Sequence, residues 1–159
     1  MKSIKLIPAF IFLLVCCISC SIDDGVDEGP SVNFAVIGLW DLAEVNVNPP
    51  QDLDMDGNAS TNLMDELDCI SGSLLIDGNF IWTFEQTELT ITTITGDQFS
   101  VVCNGTVSGT GNWLSSQTEV TFTGNDVLTS LTISGEQLID DIGMDLPEIE
   151  SFVYERRPQ

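Results

Sequence analysis

The chain has no histidine, and only four lysines and arginines stand against 25 aspartates and glutamates in its 159 residues. Without an imidazole it lacks the commonest general base and metal-binding nitrogen. Lys2 and Lys5 both fall in the first five residues, so removal of that stretch would leave no amine for Schiff-base chemistry. The remaining cations are Arg156 and Arg157, and two positive charges against 25 negative ones give a net charge of −23. A field of that sign repels nucleic acid and anionic headgroups and favours neutral, apolar or cationic partners, a divalent metal being the simplest cation. No phosphate-cradling glycine loop, zinc-ligand spacing, internal repeat or second domain is present. Carboxylate pairs such as Asp140 and Asp141 sit among many solvated acids, and nothing marks one pair for glycoside hydrolysis. The composition therefore reads as non-enzymatic, and it carries no signature of oligomeric state.

What the chain does have is apolar material, 43% of its residues, enough for a real core despite the charge. Part of it opens the sequence: "MKSIKLIPAFIFLLVCCISC" sets Lys2 and Lys5 before an apolar run from Leu6 to Ile18. This reads as a secretory signal over residues 1–19, too short to span a bilayer as a mature helix. Ser19 directly before Cys20 fits a bacterial lipoprotein cleavage box, although Cys17 stands where such boxes usually carry leucine. The alternative is an uncleaved anchor or an ordinary secreted signal. Acyl chains on Cys20 would hold the mature protein stably on a membrane, since two or three chains bury enough methylenes where one holds only marginally. Residues 20–34 are rich in acid, Gly, Pro and Ser and read as a flexible tether. Acids directly after the lipidated cysteine also resemble the export signal of Bacteroidetes lipoproteins carried to the outer face of the outer membrane, which implies an exported, surface-exposed protein.

Of the five cysteines, Cys16 and Cys17 would leave with the signal and Cys20 would be acylated. Cys69 and Cys103 remain, and in an oxidising envelope compartment they are expected to bond to each other, two buried free thiols being the alternative.

From Val36 onward the pattern is strand after strand. "GLWDLAEVNV", "SLLID", "FIWTFEQ", "TELTITTI", "FSVVCNGTVSG", "TEVTFTG", "VLTSLTISG" and "SFVYERR" make about eight short strands bounded by Gly, Asn or Asp. Gly78-Asn79 is a two-residue hairpin signal. Even spacing of this kind predicts an all-β antiparallel meander, and closure into a barrel removes exposed edges. Phe80, Trp82 and Phe84 alternate with smaller residues and are expected on one inward face. The apolar phase then shifts to Leu89 and Ile91, which predicts a bulge or tight turn near Glu85–Glu88. The one helical piece is "NLMDELD", with Asn62 as N-cap and Asp65 and Glu66 at the positive end. It lies in a connection of some 25 residues between Val47 and Ser73, well beyond hairpin length, and long ordered loops in compact domains tend to be functional.

Gly38-Leu39-Trp40 at the head of the first strand resembles the G-x-W signature of lipocalins. The run "GLWDL", "DLDMDGNASTNLMDELDC" and "DGNFIWTF" is similar to lipocalin-like lipoproteins of the Bacteroidetes, over most of residues 35–157. The resemblance implies a single lipocalin-like barrel whose Trp40 packs across its base, and it implies a small hydrophobic ligand held in that barrel. Phe80, Trp82, Phe84, Trp113 and Phe122 are the expected lining.

Within the long loop, "DLDMDGNASTNL" spaces Asp52, Asp54 and Asp56 two residues apart and then places Gly57, the arrangement a hard cation requires. Asn58 would add a backbone carbonyl. The stretch resembles calcium loops of the EF-hand and dockerin kind, except that its twelfth place holds Leu63. Glu66 is the candidate for the missing bidentate ligand. Structural calcium is thus expected, with a solvated acidic turn as the alternative. Two functions stay open: a carrier of a hydrophobic molecule in a hollow barrel, or a calcium-stabilised surface module with a filled barrel that binds protein or glycan.

Overall fold

The computed structural model of the chain describes residues 32–142 and 148–158. The expected signal, Cys20 and nearly all of the tether lie outside these residues. Nine strands follow one another: β1 (Gly38–Gln51), β2 (Ser60–Asn62), β3 (Gly72–Ile76), β4 (Ile81–Thr93), β5 (Phe99–Ser115), β6 (Glu119–Thr123), β7 (Ser130–Ser134), β8 (Gln137–Asp141) and β9 (Ile149–Arg156). From β3 to β9 each strand pairs antiparallel with the next, and β1 closes the ring by pairing with β3 on one edge and β9 on the other. The result is the expected all-β architecture, an eight-stranded antiparallel barrel, with β2 added beside the far half of β1.

The strand count agrees with the expectation only because differences offset one another. "FIWTFEQ" and "TELTITTI" are one continuous strand, β4. Gln137–Asp141 and Ser60–Asn62 are strands that their local sequence does not announce. A bulge does fall beside this stretch, but on the partner strand: Glu88 faces Gly105 while Leu89 faces Cys103, which leaves Asn104 of β5 as the extra residue and β4 without a turn. Past this bulge β4 and β5 run on together as a hairpin beyond their neighbours. The hairpin is tied back to the barrel through Gln51, whose Nε2 donates to the Asp97 carbonyl at 3.0 Å.

The expected short helix is a single turn. Leu67 N–H donates to the Leu63 carbonyl at 3.0 Å and Asn62 Oδ1 accepts from Met64 N–H at 3.1 Å, so the cap forms as read. The turn stops there because Ile70 goes back into the core and Cys69 is bonded to Cys103. Helix among the described residues is limited to one short 3-10 segment, Phe34–Val36.

The barrel interior is packed with side chains. Along β4, Trp82, Phe84 and Gln86 point inward while Ile81, Thr83 and Glu85 face out, the period of two that a strand imposes. Trp40, Trp82 and Trp113 are each buried to within 1% and each donates its indole N–H to a main-chain carbonyl, of Val36, Thr123 and Asp77 respectively. Polar edges are thereby satisfied where no water reaches. Tyr154 crosses the interior and donates its hydroxyl to Gln86 Oε1 at 2.6 Å.

The two ends of the barrel differ. The N-terminal end carries the 3-10 segment, the β3–β4, β5–β6 and β7–β8 turns, and Arg156 and Arg157 at the close of β9. The loop end carries the long β1–β3 connection, the tip of the β4–β5 hairpin and the β6–β7 loop.

Candidate metal centre and neighbouring cleft

Strong local hydrogen bonding organises the acidic stretch. Asp54 Oδ1 accepts from Asp56 N–H at 2.9 Å, Asp56 Oδ1 from Asn58 N–H at 2.7 Å, and Asp52 Oδ2 from Gly57 N–H at 3.1 Å. These are turns in which a short acidic side chain replaces a main-chain acceptor. Gly57 has φ of 93°, the left-handed region that a glycine enters at little cost.

Leu63, which stands where a calcium loop has its last ligand, is fully buried and donates its backbone N–H to the Val45 carbonyl at 2.9 Å. The side chain is used as a core anchor, and one helical turn later Glu66 returns toward the loop. Glu66 is 7% exposed, and its Oε2 accepts from Leu53 N–H at 2.8 Å and Asp54 N–H at 3.4 Å.

Carboxylate oxygens of Asp52, Asp54 and Glu66 lie within 4.8 Å of one another. Calcium–oxygen bonds of about 2.3–2.6 Å put ligand oxygens no more than about 5 Å apart, so this donor set fits a calcium ion in hardness and in spacing. Of the four carboxylates expected as ligands, three come together. Asp56 is outside the cluster, and Asn58 is turned onto it, with both its backbone N–H and its side-chain amide donating to the Asp56 carboxylate. The alternation read from the sequence placed all three aspartates on one centre; the successive turns rotate the third one away. No basic side chain among the described residues compensates the cluster. The only two among the described residues are at the other end of the barrel, where Arg157 pairs with Asp41 at 2.5 Å and Arg156 with Glu136 at 3.7 Å.

The Cys69–Cys103 bond, formed as expected, joins the end of this loop to β5. Loop and hairpin thus become the two walls of an open cleft of about 780 Å³, lined by Pro49, Pro50, Leu53 and Met55 on one side and Ile94 and Phe99 on the other. Asp52 belongs both to this lining and to the acidic cluster. The cleft went unread in the sequence because its walls come from segments tens of residues apart along the chain.

Four of the five aromatics expected to line a hollow barrel, Trp82, Phe84, Trp113 and Phe122, are at most 4% exposed and pack into the core. Trp82 meets Phe122 edge-on at 5.4 Å, and Phe84 meets Tyr154 at 6.2 Å. None of the four lines the cleft.

Phe80 is not inside the barrel. The β3–β4 turn is a three-residue loop rather than the expected two-residue one, closed by the Asp77 N–H to Ile81 carbonyl bond. Its last residue, Phe80, takes the left-handed conformation with φ of 62°. Its ring is 36% exposed at the N-terminal end, 5.3 Å from Trp113 and 6.0 Å from Phe34.

Two ionisations are displaced by their surroundings in ways that bear on stability. Burial, reinforced by the negative charge of Asp140, pushes the Tyr154 phenol far above its ordinary value. The hydrogen bond from Arg157 holds the Asp41 carboxyl below the usual carboxylate range. Comparison with protein-family models, curated proteins and solved structures finds no match.

Proposed function

We propose that this protein is a lipid-anchored, lipocalin-like lipoprotein of the cell envelope, held by acylated Cys20 on the surface of the outer membrane. Its filled barrel is a scaffold for a calcium-ordered binding surface, and its role is recognition without catalysis. The observation that carries this reading is the packing of Trp82, Phe84, Trp113 and Phe122, which fill the space a hydrophobic cargo would need. The surface cleft beside the acidic loop then becomes the place for a partner, a protein segment or a glycan. Calcium bound by Asp52, Asp54 and Glu66 would neutralise three clustered carboxylates and set the position of one wall of the cleft.

Thermal unfolding in chelator and in calcium tests this. At a calcium concentration about 100 times the dissociation constant the site contributes about 2.7 kcal/mol, roughly 10 °C in midpoint for a domain of this size. Asp54→Ala and Glu66→Ala are both expected to shrink the calcium shift. Glu66→Ala also lowers the midpoint in chelator, because Leu53 and Asp54 N–H lose their acceptor. An unchanged wild-type midpoint on adding calcium would leave the stretch a solvated acidic turn.

A further inference from the structure

The described chain emerges from the barrel at Val32, directly before the exposed aromatic pair. Phe34 is 58% exposed and Phe80 36% exposed, and their rings meet edge to face at 6.0 Å. Phe80 holds this place at φ of 62°, where glycine or asparagine would fit a turn more readily. Charge is distributed unevenly between the ends. Both described cations, Arg156 and Arg157, lie at this end and offset Glu136 and Asp41, while the Asp77 carboxylate is turned to the backbone N–H groups of Asn79 and Ile81. The loop end has the clustered carboxylates, and no lysine or arginine among the described residues pairs with them.

From these observations we propose that the Phe34–Phe80 face is a membrane-docking surface. It rests in the headgroup layer of the bilayer that holds Cys20 and turns the acidic loop and its cleft outward. The inference depends on the lipoprotein reading above. The twelve steps from Cys20 to Val32 span at most about 40 Å fully extended, so the anchor keeps this end within reach of the lipid. Aromatic rings are suited to the boundary between headgroups and acyl chains. The acidic loop end, by contrast, would meet repulsion from any anionic lipid.

The test uses the full-length acylated protein in phosphatidylcholine vesicles with and without brominated acyl chains, with the wild type as fluorescence background. Phe34→Trp adds an indole on the proposed face, and Val102→Trp adds one on the β4–β5 hairpin, where Val102 is 53% exposed. The emission added at position 34 is expected to shift to the blue and to be mostly lost to brominated lipid, while that added at 102 is unaffected. Equal quenching at both positions, in protein that floats with the vesicles, overturns the docking face and leaves the anchor standing. Wild-type protein that does not float, or a Cys20→Ala variant that floats equally well, removes the anchor and the docking face together.

Discussion

Alkaline pH offers a direct probe of the interior, because Tyr154 is the only tyrosine in the chain. It is 1% exposed and donates to Gln86 Oε1 at 2.6 Å, and burial raises its ionisation well above the ordinary value near 10. The folded phenol keeps its proton where the unfolded one releases it. Below pH of about 10 both states are protonated and stability has no Tyr154-dependent slope. Above it, the unfolded state is favoured by about 1.4 kcal/mol per pH unit, a loss of about 2–3 kcal/mol two units higher. Cys69 and Cys103 are bonded and do not titrate, and Lys2 and Lys5 belong to the expected leader, so little else contributes in this window. Denaturant unfolding across that range, followed by circular dichroism and by the tyrosinate absorbance band, is expected to show the band appearing only together with loss of fold. Tyr154→Phe removes the slope. It also costs about 1–3 kcal/mol at neutral pH, since Gln86 loses its buried donor. A tyrosinate band that titrates near its ordinary value in protein with native dichroism would refute the buried, hydrogen-bonded phenol.

Two further perturbations test the scaffold. A Cβ on Gly111 would sit 1.8 Å from the Thr123 carbonyl oxygen, whose backbone has no room to yield, so Gly111→Ala is expected to cost about 3 kcal/mol or more, at the upper end of overpacking effects. Gly78→Ala, whose nearest contact would be Ile37 Cδ1 at 4.0 Å, is the mild control, and equal denaturation midpoints for the two would contradict the packing of Trp82 against β5 and β6. Replacing Cys69 and Cys103 together by serine reopens a loop with a sequence separation of 34 and is expected to lower stability by about 3–4 kcal/mol in the chain-entropy account. A double mutant as stable as the oxidised wild type would show that the bond constrains nothing the fold does not already hold.

Local pattern determined a good deal. Alternation over Trp82 and Phe84 set their inward face, the phase change before Leu89 coincides with the register shift there although the extra residue is on β5, and elimination of the other cysteines paired Cys69 with Cys103. Aspartates at every second position marked the acidic loop, and Glu66 was legible as the carboxylate that joins Asp52 and Asp54 from beyond it. The alternation also included Phe80, where it misled: side-chain parity persists only while the backbone stays extended, and the left-handed residue that ends the turn rotates the ring to the barrel end. Strand β8 has one fully buried apolar residue, Leu138, beside a half-buried Ile139 and three polar or acidic residues. Its pairing comes from Ile133 and Tyr154 on the strands that flank it. The same limit applies to the interior. A sequence of inward aromatics is compatible with a lined cavity or a packed core, and the choice depends on how far apart the opposite walls stand once β1 meets β9.

The sequence by itself determined the class of the molecule: an acidic, histidine-free chain whose strand periodicity favours an antiparallel meander and whose aspartate spacing marks a long acidic loop. These properties depend on residue chemistry and on neighbours a few positions apart. Tertiary structure decided that three carboxylates converge and a fourth does not, that the barrel is filled, and that a cleft opens between loop and hairpin. Each of those outcomes depends on contacts between segments tens of residues apart, and such contacts are set by ring closure and side-chain volume rather than by any pattern along the chain.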